Sequence, residues 1–294
     1  MLDRLAETRA RRPEAIAEAA AARRRPQSPL GDAGTTMIIA ADHTARGMVG
    51  AGRRPQAMED RAELLERVCL ALSRPGVDGV LGTPDILEDL LLLGALDGKV
   101  VFGSMNRGGL AGAAWEIDDR FTAYDAATIA AMGFEGGKML TRIALDDPAT
   151  AATVEACARA VSDLARHRLV ALVEPFMSHK VDGRVRNDLS TEAAIRASLI
   201  AAGLGATSAY TWLKVPVVAE MERVAAATSL PTVLLGGEVR EDQDAMFEEW
   251  RAALRLPNVV GLVVGRSLLF PPDDDVVAAV DTAVGLLPRA VRTP

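Results

Sequence analysis

The chain has 294 residues, of which 49% are hydrophobic and 25% charged, with a net charge of −7. That balance fits a soluble globular enzyme of one large domain and excludes bulk nucleic-acid binding driven by charge. No apolar run reaches the roughly 18 residues of a membrane span.

The N-terminal stretch MLDRLAETRARRPEAIAEAAAARRRP is charged throughout and lacks the apolar block of a secretory signal. It reads as a helical extension, residues 1–30, ahead of a single domain at 31–294. Eight short apolar runs follow: MIIAAD (37–42), GVDGVLG (76–82), KVVFGS (99–104), GFEGGKML (133–140), RLVALVEP (168–175), AYTWLKV (209–215), TVLLGG (232–237) and VVGLVVG (259–265). Helical patterns such as MEDRAELLERVCLALSR separate them, with start signals at Thr83-Pro84, Asp146-Asp147-Pro148 and Ser190-Thr191-Glu192. Strands alternating with helices imply parallel pairing through right-handed crossovers. Eight repeats, with no GxGxxG after the first strand, predict a (β/α)8 TIM barrel with an N-terminal helical extension.

Barrel enzymes work at the C-terminal ends of their strands. There the chain carries Asp42-His43 (first run), Lys138 (fourth), Glu174 (fifth), Lys214 (sixth), Gly236-Gly237 (seventh) and Gly265-Arg266-Ser267 (eighth). Only four lysines occur, Lys99, Lys138, Lys180 and Lys214, so arginine is the usual cation and a lysine within an apolar strand needs its own explanation. Side-chain alternation puts Lys214, Trp212 and Tyr210 on one face, as it does Lys138, Gly136 and Phe134, and Glu174, Leu172 and Val170. If these faces point inward, both lysines and both carboxylates enter the barrel, and small Ala40 and Gly136 leave room for Trp212.

A lysine attacks a carbonyl only as the neutral amine. Bringing its pKa from about 10.4 to about 7 costs about 4–5 kcal/mol, and burial or a second ammonium works in that direction. The imine then serves as an electron sink for C–C cleavage, with a carboxyl moving protons. Lys214, Lys138, Glu174 and Asp42 are thus the expected catalytic set. The loops after the seventh and eighth strands, with Gly236, Gly237, Gly265 and Arg266, are expected to hold a phosphate. His43 and Trp212 complete the expected substrate contacts. Lys138 and Glu174 could instead serve plain ion pairs, Asp42 could cap the first βα loop through backbone N–H groups, and Lys214 could be a structural lysine that snorkels out at its strand end.

These residues resemble the class I, Schiff-base aldolases of the barrel type: tagatose-bisphosphate, archaeal-type fructose-bisphosphate and deoxyribose-phosphate aldolases. The resemblance runs over about 36–270 through AADH, GVDGVLGTPDIL, FEGGKML, LVEP, WLKVP, LLGGE and GLVVGRSLL, and is nearest to actinobacterial aldolase-like barrels of inositol breakdown. It implies Lys214 as the imine lysine, Lys138 as an assisting cation, Asp42 as a carbinolamine and hydroxyl partner and Glu174 as acid/base, as in the tagatose-bisphosphate branch. It also implies Gly237, Gly265 and Arg266 at the phosphate. The archaeal-type enzymes carry a proton-donating tyrosine just after the fifth strand, where this chain has Phe176-Met177. Deoxyribose-phosphate aldolases place a lysine on the seventh strand, where this chain has Gly236-Gly237.

The expected activity is cleavage or formation of a C–C bond in a keto-sugar phosphate, with dihydroxyacetone phosphate as the ketone half. Two other readings fit the same residues: an isomerase or epimerase using Glu174 as base, and a non-catalytic sugar-phosphate-binding barrel. No metal or other cofactor is expected, because the three histidines are scattered. The expected partner is a small phosphorylated sugar, with neither nucleic acid nor membrane, in a cytoplasmic homo-oligomer. Cys69 and Cys157 lie in helical patterns and read as reduced core residues. The polar stretch SHKVDGRVRND (178–188) reads as a loop able to act as a lid, with His179 and Lys180 solvated. Lys99 begins the third strand and gets no role. Asn106 and Arg107 follow that strand, at a turn or against substrate.

Overall fold

Each of the eight apolar runs forms a strand. The computed structural model describes residues 1–31, 34–106 and 109–288. In it β1 (Thr36–Ala41), β2 (Gly79–Gly82), β3 (Val100–Ser104), β4 (Gly136–Ile143) and β5 (Val170–Val181) lie side by side in parallel. After a short β6 (Arg184–Asn187), β7 (Thr211–Pro216), β8 (Thr232–Leu235) and β9 (Val259–Val264) continue the series, and β9 pairs with β1. The sheet therefore closes into an eight-stranded parallel barrel, with β6 outside it.

The runs are continuously apolar because parallel barrel strands are buried on both faces. Ile38, Ala40, Leu81, Phe102, Leu172 and Trp212 point inward and pack on one another. The alternate residues, including Ile39, Val80, Val101, Met139, Val173 and Leu213, face the helices. Those helices begin where the sequence supplies caps. The Asp60 carboxylate accepts from Glu63 N at the start of α3 (Arg61–Leu72), and Ser190 Oγ accepts from Ala193 N at the start of α7 (Thr191–Ala202). Pro84 opens α4 (Pro84–Leu92), and α6 (Ala149–Arg166) follows Pro148.

Two expected orientations differ. Phe134 precedes β4 and packs among the helices, edge-on to Tyr124 with ring centroids 5.8 Å apart. The space above Gly136 goes to Phe102, because a Cβ there would lie 2.7 Å from the Phe102 ring. Phe102 in turn meets Trp212, with centroids 6.4 Å apart.

The stretch 178–188 is a hairpin. β5 runs on to Val181, Asp182 and Gly183 turn with φ of 49° and 74°, and β6 pairs back from Val181↔Arg184 to Ser178↔Asn187. Asp-Gly with both φ positive is the two-residue hairpin turn that matches strand twist. The N-terminal extension forms two helices, α1 (Leu2–Arg11) and α2 (Ala15–Ala22), and α2 packs on α4. No helix among the described residues is long and apolar enough to cross a membrane.

Candidate active site

Parity along the strands carries four charged side chains into the barrel, where each needs a counterion. They form one chain of contacts. Lys138 Nζ lies 3.1 Å from Asp42 Oδ2 and also contacts Glu174 Oε2, while Glu174 Oε1 lies 3.1 Å from Lys214 Nζ. Glu174 thus bridges the two lysines with separate oxygens, and two acids with two ammoniums sum to zero charge. Exposure is 1% for the Lys138 side chain and 6% for Lys214. Ser104, at the end of β3, donates from Oγ to Asp42 Oδ2 at 3.3 Å.

These groups open into a cavity of about 970 Å³ at the C-terminal ends of the strands. That suffices for a small phosphorylated metabolite. Asp42, His43, Lys138, Glu174 and Lys214 line it, and so do Gly236, Gly237, Gly265 and Arg266. Trp212 is not among the lining residues. It sits one inward position below Lys214, buried in the barrel interior.

His43 stands just past β1, its side chain 21% exposed and its Nδ1 4.0 Å from Asp42 Oδ1. A Cβ on Gly265 would come 2.9 Å from His43 Cε1, so glycine there makes room for the imidazole. Burial, and then the charges of Arg266, Lys214 and Lys138, hold its pKa well below the usual histidine value, against a smaller pull from Glu174. At neutral pH the ring is uncharged.

Opposite β4, the loops after β8 and β9 meet on the cavity wall around Arg266. Gly237 turns with φ 66°, and Gly265 leads into the single turn α10 (Arg266–Leu269). Arg266 is held by burial below its usual pKa, and its Nη1 approaches Glu238 only to 3.9 Å. Arg266 Nε and Ser267 Oγ are both buried without a hydrogen-bond partner among the described residues. Unpaired buried donors are costly and rare, so both atoms keep hydrogen-bonding capacity that no described residue uses. The Ser267 hydroxyl was visible in the sequence only as part of Gly265-Arg266-Ser267.

Another part of the rim gave no sequence signal. Arg46 Nη1 meets Asp119 Oδ2 at 2.9 Å and Nη2 meets Glu116 Oε1 at 3.1 Å, while Arg142 Nη1 reaches Glu116 Oε1 at 2.6 Å. All four side chains are buried. The backbone N–H groups of Gly109 and Gly112 donate to Asp119 and Glu116, so the network fastens the β3–α5 connection over the mouth, α5 being Ala126–Ala131.

The remaining residues take structural positions. Asn106 donates to Leu140 O at 2.5 Å and accepts from Leu140 N at 2.8 Å, which extends the β3–β4 ladder. Arg107 lies outside the described residues. Lys180 pairs with Asp147 at 2.7 Å, and Lys99 Nζ donates to Val77 O at 2.6 Å. Cys157 is buried, its thiol pushed up to about 12, and Cys69 is half-buried. Among the described residues no three His, Cys, Asp or Glu side chains gather in a way that could hold a metal.

Residues 34–284 match the model of a family described as Cgl0159-like. The chain belongs to the Cgl0159-like family. The crystal structure of Cgl0159 from Corynebacterium glutamicum (Brevibacterium flavum) is 54% identical to this Cgl0159-like chain, covering 97% of it and 96% of the other, with a TM-score of 0.94. Two more distant structures share the barrel. One is an archaeal fructose 1,6-bisphosphate aldolase (17% identity, 92% and 98% covered, TM-score 0.66). The other is a Schiff base-forming fructose-1,6-bisphosphate aldolase (18% identity, 93% and 100% covered, TM-score 0.65). At such identities the likeness is one of fold. No curated protein matches the chain.

Proposed function

We propose that this Cgl0159-like barrel is a class I aldolase that cleaves or forms a C–C bond in a keto-sugar phosphate, with Lys214 as the imine-forming residue and dihydroxyacetone phosphate as the ketone half. The observation that carries the reading is the Lys214–Glu174–Lys138–Asp42 chain at the floor of a cavity. Glu174 lies within proton-transfer distance of Lys214, so it can take the proton that must leave before the amine attacks. The same carboxyl can return that proton to the carbinolamine hydroxyl, which departs as water. Lys138 keeps positive charge beside the site, and Asp42, steadied by Ser104, balances it. Arg266 and the glycines at 236, 237 and 265, all on the cavity wall, supply donors for the phosphate. Trp212 acts from below, by packing under Lys214. The shared barrel of the Schiff-base aldolases supports the reading at the level of fold, and the sequence resemblance extends it to keto-sugar phosphates such as those of inositol breakdown. An isomerase with Glu174 as its free base is less well served, because both carboxylate oxygens face ammonium groups.

Borohydride reduction in the presence of dihydroxyacetone phosphate, followed by peptide mass spectrometry, tests the proposal. The expected result is a reduced adduct on the peptide containing Lys214, absent from Lys214→Ala. If neither this ketone nor other keto-sugar phosphates leave an adduct, the Schiff-base reading fails.

A further inference from the structure

Beyond the protons moved during imine formation, aldol chemistry takes a proton from the substrate hydroxyl and gives one to the enamine carbon. The titratable side chains on the cavity wall are nearly all committed. Asp42, Lys138, Glu174 and Lys214 hold one another. Glu116 is tied to Arg46 and Arg142, and Glu249 to Arg240. Glu238 is 84% exposed at the rim. Arginines do not give up protons at working pH. His43 remains, lining the cavity beside Asp42, just past β1, the strand that pairs with β9 ahead of Arg266.

We infer that His43 is the acid/base that carries the proton between the substrate hydroxyl and the enamine carbon, so that imine formation and C–C cleavage use different proton carriers. The inference rests on the Schiff-base reading of Lys214. In the cleavage direction the imidazole removes the proton of the hydroxyl on the far carbon of the breaking bond. The O–H electrons become the aldehyde C=O, the C–C electrons pass to the iminium nitrogen, and an enamine is left on Lys214. The imidazolium then delivers the same proton to the enamine carbon, which restores the iminium and the neutral ring. Water hydrolyses the iminium, replacing the water lost when it formed.

The surroundings fit both halves of this cycle. Burial and three nearby cations keep the resting ring neutral, so it is ready to accept. The same surroundings make its protonated form a strong acid, ready to pass the proton to carbon. A phosphate dianion beside Arg266 would offset the strongest of those cations during the step. Gly265 preserves the space in which the ring sits.

The test separates this inference from the reading beneath it. Wild type, His43→Gln and His43→Ala are each given dihydroxyacetone phosphate in deuterium oxide. Exchange of the ketone's C–H is followed by NMR, and imine formation by borohydride trapping. The expected result is trapping within a few-fold of wild type in both variants and exchange slowed by about 100-fold or more. Added imidazole should restore exchange in His43→Ala, where the cavity can admit it. Exchange within about threefold of wild type in both variants would overturn the role of His43. So would loss of trapping in the variants, which would assign the residue to binding or imine formation. Absence of trapping in wild type, with this ketone and with other keto-sugar phosphates, would instead sink the Schiff-base reading itself.

Discussion

Glu174 serves two ammonium groups at once, and His43 shares their neighbourhood without a carboxylate in hydrogen-bond reach. The consequence for stability can be worked out. The imidazole of the unfolded chain takes its proton near pH 6.5, whereas in the barrel burial and the charges of Arg266, Lys214 and Lys138 hold the folded value well below that. Below pH 6.5 the unfolded chain therefore binds more protons at this site, and stability falls as pH falls; above pH 6.5 the site contributes no slope. The drop in melting temperature between pH 7.5 and 5.5 should be smaller in His43→Gln than in wild type. His167 and His179 are common to both proteins and cancel in the difference. Equal drops would show that the ring titrates in the fold as it does in the open chain.

At the level of elements, the strands were legible and the covers over them were not. Apolar runs flanked by Gly, Pro and helical patterns give eight strands, and period-two alternation correctly sends Leu172, Trp212 and the residues beyond them inward. Phe134 was misassigned because alternation applies only within a strand, and β4 starts at Gly136. The hairpin at 178–187 was hidden by its polar composition, although Asp182-Gly183 is a strong turn signal. The Arg46–Glu116–Asp119–Arg142 network left no pattern at all, since its members come from two connections and one strand end. That network should nonetheless be strong. Asp119→Asn leaves two buried guanidiniums sharing one carboxylate and should cost about 3–5 kcal/mol. Asp118→Asn beside it removes only a pair with Arg120, whose side chain is 74% exposed, and should cost no more than about 0.5 kcal/mol. Urea denaturation compares the two. Hydrogen exchange should also rise at 109–119 in Asp119→Asn while β1 to β4 stay protected. Similar losses in both variants would mean the loop is held by packing.

Across the whole molecule, the N-terminal extension seals the end of the barrel opposite the cavity. Leu30 packs into the inward-facing core, and α1 is held to α4 through Arg9 with Glu88 and Asp89. The central contact is Arg23, whose side chain is 2% exposed and which donates to Lys99 O at 2.5 Å, to Gly133 O, and to Glu135 at 3.2 Å. Glu135 also accepts from Val101 N at 2.8 Å, so one carboxylate joins the extension to the entries of β3 and β4. Arg25 reaches the same oxygen from a side chain 54% exposed and cannot replace the buried partner at full strength. Arg23→Met therefore leaves a carboxylate short of its buried counterion and should cost about 3–5 kcal/mol, on the order of 10 °C in melting temperature. Adding Glu135→Gln removes the stranded charge yet keeps an acceptor for Val101 N, so the double variant should regain part of the loss. A double variant less stable than Arg23→Met would show that Glu135 matters through its own charge and not through the pair. Borohydride trapping at Lys214 per folded molecule should be unchanged in both, because this seal and the cavity lie at opposite ends of the same strands.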